Sequence, residues 1–565
     1  MNCKSRYGVR VNATEVFGKQ GHGRGGGVMG FEPAVFMAVL LQWGVAAIPS
    51  RIANRNVGAM LTVARGAMVA NLVCALWGCI MSFIEPFLPH AFEPVHWNGI
   101  SIAIFCDRLS LTMYLLVSFV GLAVLLYSGR YLQGEKRQGR FVRWLSFTLA
   151  AVCTMVLAAN LMVFFVAWVL TSFGLHQLLT HYGDRPNAQR VAFKKFVISR
   201  FGDAFLIGAI ALIYRVCGTL DYAELFRMID VSAAELSQRP ELTWAAILLV
   251  LGGLTKSAQF PFHTWLPDTM ETPTPVSALM HAGVINAGGY LLIRVSPLLE
   301  MAPVAMTILV ILGGLTAVIG AAIMLTQTNV KRSLAYSTIA QMGMMMLQCG
   351  LGAFSAAFLH IIAHSLYKSY AFLSAGTLRS PAISSPAATK QTNSGVGYAA
   401  SILLCSLVGM VIPFSVCVYL DWFSIAKLPL VMVFALAVQT LVLRVWQAYQ
   451  SPIRTAALAV GMGSIYFGVT LMAQWYLRDS VPHSTDGMTV WQWFNLAYVA
   501  TTFFALWGIQ VLVEQAPKHP FTRRLYAHMV NELYLDLIAH RFVALFKAKQ
   551  NYLGPALISG KESNV

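Results

Sequence analysis

Residues 251–286 read LGGLTKSAQFPFHTWLPDTMETPTPVSALMHAGVIN. Lys256 sits deep in an apolar run, and Pro261, Pro267, Pro273 and Pro275 follow it. Proline removes a backbone donor and interrupts a helix. A helix broken at membrane depth is tolerated only where protein or a water-filled cavity satisfies the freed groups. A charge beside such a break marks the ion site of a transporter. An ammonium taken out of water is costly, and the amine can answer by exchanging its proton. The spacing therefore predicts proton loading at Lys256. A snorkelling or statically paired lysine would not need the broken helix next to it. His281 follows in the next apolar segment, and histidine relays protons near neutral pH.

A second cluster is His360, His364 and Lys368. The i, i+4, i+8 spacing places all three on one helix face over roughly 12 Å of rise. Three titratable groups in an apolar segment form a candidate proton wire. HxxxH also suits a metal, but no third ligand is near, so no metal site or cofactor is predicted. Arg200 and Asp203 stand three apart, the spacing of an internal ion pair. Nine cysteines lie scattered without a CxxC pair and read as small core residues.

The elements that carry these residues are long apolar helices. Of 565 residues, 57% are hydrophobic and only 11% charged, and mean hydropathy is +0.64. That charge deficit excludes an ordinary soluble domain and a disordered chain. The runs are continuous rather than alternating, which excludes a transmembrane barrel. About fifteen runs approach the roughly 20 residues of a spanning helix, among them segments near 102–128, 160–181, 191–216, 275–298 and 353–379. The expected fold is an all-α polytopic membrane protein of about 14–16 transmembrane helices.

The net charge of +17 comes from 40 Lys and Arg against 23 Asp and Glu. In such a chain it points to topology rather than nucleic acid. Loops with Arg130, Lys136, Arg137, Arg140 and Arg143, and with Arg185, Arg190, Lys194 and Lys195, are assigned to the cytoplasmic side. Lys331, Arg332, Arg379, Lys390, Arg523 and Arg524 join them. Residues 1–28 are basic and Gly-rich yet count to the opposite side. A miscounted span, a disordered tail and a start at Met29 all fit, and the last is favoured. Residues 520–548 are too polar to span and read as a helix on the interface or against a partner.

These motifs resemble a known family. KSAQFPFHTWLPDTMETPTPVSALMHA is similar to the signature of the antiporter-like subunits of respiratory complex I and Mrp antiporters. DRLSLTMYLLVSFVGLAVLLYSGRYL at 107–132, FVISRFGDAF at 196–205, NVKRSLAYSTIAQMG at 329–343 and HSLYKSYAFLSAG at 364–376 extend the likeness over residues 100–420. The resemblance implies two inverted five-helix repeats, each with a broken helix, and proton translocation. It carries pathway roles onto Lys256, His281, His360, His364 and Lys368. It divides the chain into a tail (1–33), N-terminal helices (34–100), a translocating core (101–420), C-terminal helices (421–515) and a cytoplasmic tail (516–565).

The chain also departs from the family. The family's fifth helix has a glutamate after Gly-Trp, whereas here Val169 follows Trp168. The broken twelfth helix is recognisable at SLVGMVIPFSV with Pro413 at the break. The family lysine beyond it aligns with Tyr419-Leu420-Asp421, which holds no lysine. The family's long C-terminal lateral helix is not expected in so short a chain. This pattern, with LHQLLTHY and HMVNELYLD, resembles the membrane subunit of two-subunit inorganic-carbon accumulation systems. That likeness implies protons or Na+ moving down their gradient through this chain in the bacterial inner membrane. A zinc-binding, carbonic-anhydrase-like partner on the cytoplasmic side would then hydrate CO2, so catalysis lies on the partner. A pump or antiporter subunit and a non-conducting membrane anchor are the alternatives. His176, two turns after Val169, is the expected substitute for the lost glutamate in the proton path.

Overall fold

The computed structural model describes residues 30–84, 90–97, 100–375, 452–482, 489–515 and 518–539, with isolated positions at 407–438 and at 541 and 544. Pro413, Leu420 and Asp421, and nearly all of the N-terminal tail, lie outside the described residues. Eight described helices are long and apolar enough to cross a membrane. The protein is an all-α polytopic membrane protein.

Helices α1 (Phe31–Ala47), α2 (Ser50–Arg55) and α3 (Val57–Ile84) come first. A hairpin follows, β1 (His90–Trp97) pairing antiparallel with β2 (Ile100–Cys106). The expected span over 102–128 therefore begins later, as α4 (Arg108–Tyr131). The apolar residues of β2 run into those of α4, so hydropathy alone merges them. Asn98-Gly99 between the strands is the hairpin signal in the sequence.

Asp107 fixes where α4 starts. Its carboxylate accepts from Ser110 N at 2.8 Å, and the Ser110 hydroxyl receives the Asp107 amide at 3.1 Å, a reciprocal cap. The same carboxylate receives both terminal nitrogens of Arg294, at 2.7 and 2.8 Å. Tyr290 accepts from Arg294 at 3.0 Å and donates to the Val156 carbonyl at 2.6 Å. Asp107 and Arg294 are 1% and 2% exposed, so this clamp sits wholly inside the bundle.

Then come α5 (Gln138–Leu157), α6 (Leu161–Leu179), α7 (Pro186–Cys217), α8 (Tyr222–Leu236) and α9 (Pro240–Lys256). The Asn160 side chain accepts from Val163 N at 2.8 Å and opens α6. Pro186 opens α7, and Gly218, at φ +71°, closes it in the left-handed conformation that glycine takes without strain. Lys194 and Lys195, expected in a loop, are buried in α7. They belong to the apolar segment 191–216, and the structure corrects their placement in the loop.

The expected span 275–298 is divided into α10 (Thr274–Ala282), a single 3-10 turn at Val284–Asn286 and α11 (Ala287–Arg294). Asn286 Nδ2 donates to the Ala282 carbonyl at 2.9 Å and to Ser365 Oγ at 2.7 Å, which pins the division. α12 (Ser296–Glu300), α13 (Pro303–Thr326), α14 (Val330–Gly350) and α15 (Phe354–Ser374) follow. α13 and α14 approach closely: a Cβ on Gly343 would lie 2.6 Å from Ala317 N. Pro452–Leu477 and Val490–Gln515 form two further long helices.

The C-terminal segment carries a helix at Pro520–Val530, and three successive left-handed residues follow it: Glu532, Leu533 and Tyr534, at φ +56°, +54° and +60°. Arg332 pairs with Glu532 at 2.5 Å, and Lys194 pairs with Asp536. The segment thus lies against this chain's own helices. The acidic residues that make these pairs follow the helix and meet bases far away in sequence.

At the same end, His181 Nε2 meets Glu135 at 3.1 Å and Tyr182 donates to Glu135 at 2.8 Å. Burial holds the His181 imidazole below its ordinary value of 6.5, outweighing the pull of Glu135. The unfolded chain then binds that proton more readily than the folded one. Stability is present above about pH 6.5 and is lost as pH falls through the lower folded value. We expect the thermal midpoint of the purified protein to drop between about pH 8 and pH 5.5, and His181→Gln to lessen the drop. An identical acid-side fall in that variant would refute this origin.

Candidate ion-conducting site

The break after α9 is the centre of the site. The helix ends at Lys256, and Ala258 is left-handed at φ +49°, an uncommon conformation for a residue with a side chain. Short 3-10 turns at Phe262–Trp265 and Thr269–Glu271 lead to α10, with Pro261 and Pro267 between them and the helix end. The freed groups find partners inside the protein. Ser257 Oγ donates to the Ile285 carbonyl at 2.7 Å, and Phe260 N donates to Thr316 Oγ1 at 3.1 Å. The sequence placed the break correctly, and these partners explain how it is tolerated.

Lys256 is 8% exposed and points at α6. Its Nζ donates to Ser172 Oγ at 2.7 Å and to the Trp168 carbonyl at 3.0 Å, and lies 4.4 Å from the Trp168 ring centroid. Trp168 Nε1 donates to Asp203 Oδ1 at 3.1 Å, and Arg200 pairs with the other oxygen at 2.6 Å. Val169 is half-buried and carries no charge. The carboxylate in electrostatic reach of Lys256 is Asp203, on α7. Trp168 thus stands between them, accepting from Lys256 with its carbonyl and donating to Asp203 with its indole. His176 lies on the stripe Trp168, Ser172, His176, and its ring meets Phe196 at 5.9 Å. Its Nδ1 is buried and has no protein partner.

The second half of the site is built on α15. Lys368 is fully buried, and its Nζ donates to the Leu334 carbonyl at 3.2 Å. Thr338 donates to that same carbonyl at 3.0 Å, while its oxygen lies 3.1 Å from His281 Nδ1. With the Thr338 proton so placed, His281 Nδ1 is the donor in that bond. His281 stacks on Phe372 at 4.3 Å. His281, Thr338 and Lys368 are therefore held together at the Leu334 carbonyl, which joins α10, α14 and α15. His360 Nδ1 meets Gln348 Oε1 at 3.1 Å, and its ring lies 6.4 Å from that of His364. Neither nitrogen of His364 has a partner among the described residues. A cavity of about 670 Å³ adjoins His360, His364, Gln348 and Tyr466, with room for water beside those nitrogens.

Sequence reasoning missed four groups here. Ser172 and Thr338 are common residues with no motif of their own. Lys195 was read as a loop charge. His263, in the break, is 2% exposed with both ring nitrogens unpartnered. The signal was available for two of them: Lys195 lay inside an apolar segment, and His263 stood among the prolines. Among the described residues no three His, Cys, Asp or Glu side chains gather as a metal site would require.

Comparison with known proteins gives these features a setting. Residues 158–453 match the family model described as NADH:quinone oxidoreductase/Mrp antiporter, and residues 96–142 match that of complex I chain 5, N-terminus. The chain is 43% identical over 284 residues to the probable inorganic carbon transporter subunit DabB of Hydrogenovibrio crunogenus. That match covers 50% of this chain and about half, 53%, of that relative. It is 35% identical over 461 residues to DabB2 of Halothiobacillus neapolitanus, covering 80% of this chain and 82% of the relative. A chloroplastic NAD(P)H-quinone oxidoreductase subunit 5 from Ipomoea purpurea is 38% identical over 275 residues, 48% of this chain and 39% of its own length. Among solved structures, the Mrp complex of Dietzia sp. DQ12-45-1b aligns at TM-score 0.61 and 25% identity, over 93% of this chain and 61% of that one. An archaeal membrane-bound sulfane sulfur reductase aligns at TM-score 0.56 and 17% identity, over 90% and 99%, which is a likeness of fold.

Proposed function

From the premise that the chain belongs to the NADH:quinone oxidoreductase/Mrp antiporter membrane family, we propose that it conducts protons (or Na+) for an inorganic-carbon accumulation complex. In this reading the ion runs down its gradient through Lys256 and Lys368 in the bacterial inner membrane. The movement drives one-way CO2 hydration on a cytoplasmic, zinc-binding partner of the DabA type. The observation that carries the reading is the Lys256 site. A buried amine stands beside a broken helix, bonded to Ser172 and to Trp168, whose indole in turn holds Asp203 of α7. Similarity to DabB-type relatives over most of the chain supports the carbon role.

Proton transfer fits the geometry because every polar contact of Lys256 and Lys368 is to a hydroxyl or a main-chain carbonyl. Such contacts accept from an amine without locking it into an ion pair. The test is co-purification of the tagged chain from its native membrane. The expected result is a zinc-containing partner in fixed ratio. Recovery with a set of redox or Mrp subunits would overturn the carbon reading and support the pump or antiporter reading.

A further inference from the structure

Lys194 and Lys195 are adjacent in α7 and both buried, at 1% and 4% exposure, yet they serve different places. Lys194 donates to the Thr264 carbonyl at 3.0 Å and to Asp268 at 2.9 Å, and also pairs with Asp536 of the C-terminal segment. It is a clamp with two carboxylates. Lys195 donates instead to the Ser172 carbonyl at 2.7 Å, and among the described residues no carboxylate lies within ion-pair distance of it. Ser172 is the residue whose hydroxyl holds Lys256, also at 2.7 Å. One serine of α6 is therefore gripped by an amine from α7 and by another from α9.

Neither bland role suits Lys195. It cannot snorkel, being buried, and among the described residues it has no static ion-pair partner. The charged and titratable groups around it are Lys256 from α9, Arg200 and Asp203 from its own helix, and His176 from α6. Three cationic side chains thus share one carboxylate, and Arg200 already occupies an oxygen of that carboxylate. His176 is the next residue along the α6 stripe toward the end where Lys194 meets the C-terminal segment, and it packs on Phe196, directly after Lys195. Reading inward from that end, the order is His176, Lys195, Ser172, Lys256.

We propose that Lys195 is the proton donor to Lys256, receiving its proton from the His176 side. The step is a transfer between the two amines that Ser172 holds side by side. An N–H bond breaks at Lys195 Nζ and one forms at the unprotonated Nζ of Lys256, leaving Lys195 as a neutral amine for the next proton. No electrons move. The proposal rests on the proton-conducting reading given above.

The test uses the intact complex, with its partner, in proteoliposomes under an imposed pH gradient. Proton uptake is followed with a pH dye across a range of external pH. Lys195→Met removes the amine. Lys195→Arg keeps the charge and the bond to Ser172 but does not release a proton. Both are expected to slow uptake by about 100-fold, the scale of a lost proton-transfer group, and to flatten its pH profile. A merely structural cation would be rescued by arginine. Wild-type uptake in Lys195→Arg, with its pH profile unchanged, overturns the proposal. If Lys195→Met fails to accumulate, Lys195→Arg alone decides. Lys256→Met separates the two levels: if it conducts as the wild type does, the conducting reading fails. If it does not conduct while Lys195→Arg does, only the Lys195 step fails.

Discussion

Lys256→Met is expected to abolish proton uptake and carbon-dependent growth while the protein still inserts and still binds its partner. The side chain is nearly isosteric, so the packing against Trp168 and Ser172 changes little. What is lost is the basic group that the helix break presents to α6. Removing a proton-carrying group at the centre of a path costs about 100-fold or more. Asp203→Asn should be milder, since its amide can still accept from Trp168 while the charge in reach of Lys256 disappears. Lys368→Met should match Lys256→Met, because Lys368 is the fully buried amine of the second half of the site. A non-conducting anchor predicts full activity in all three. Growth under limiting inorganic carbon, with membrane levels measured by blot, separates these outcomes.

The second large effect concerns stability. Arg294→Ala is expected to destabilise the folded protein by about 3–5 kcal/mol, because it leaves the Asp107 carboxylate buried and unpaired. The cost arises at a junction. Asp107 caps α4, Arg294 ends α11, and Tyr290 ties both to α5 through Val156. The guanidinium also lies 5.2 Å from the Phe105 ring centroid and 5.7 Å from that of Tyr222, so the hairpin and α8 lose contacts too. Asp107→Asn keeps the helix cap but leaves the buried Arg294 guanidinium without its counter-charge, so it should destabilise as well. Thermal unfolding in detergent tests this. Equal midpoints for wild type and Arg294→Ala would contradict it.

The parts legible in sequence were those written locally. Prolines after Lys256 announced a break, and the i, i+4, i+8 pattern announced the His360–His364–Lys368 face. Arg200 and Asp203 were legible as a pair for the same reason. The hidden parts depend on packing between distant segments. Ser172 matters only because α7 and α9 both aim an amine at it, and Thr338 only because it bridges His281 to the carbonyl that Lys368 uses. Lys195 was misread because a lysine near a helix end has two physical meanings, topology signal or buried group, and local composition cannot separate them. The C-terminal segment docks by charge pairs whose basic members, Lys194 and Arg332, lie in other helices.

The central claim is that this chain passes protons through Lys256. Its most direct test is dye-monitored proton uptake by proteoliposomes holding the complex, comparing wild type with Lys256→Met at equal protein. The account predicts uptake that follows the imposed gradient in the wild type and falls to the empty-liposome rate in the variant. Equal uptake in the two would contradict it.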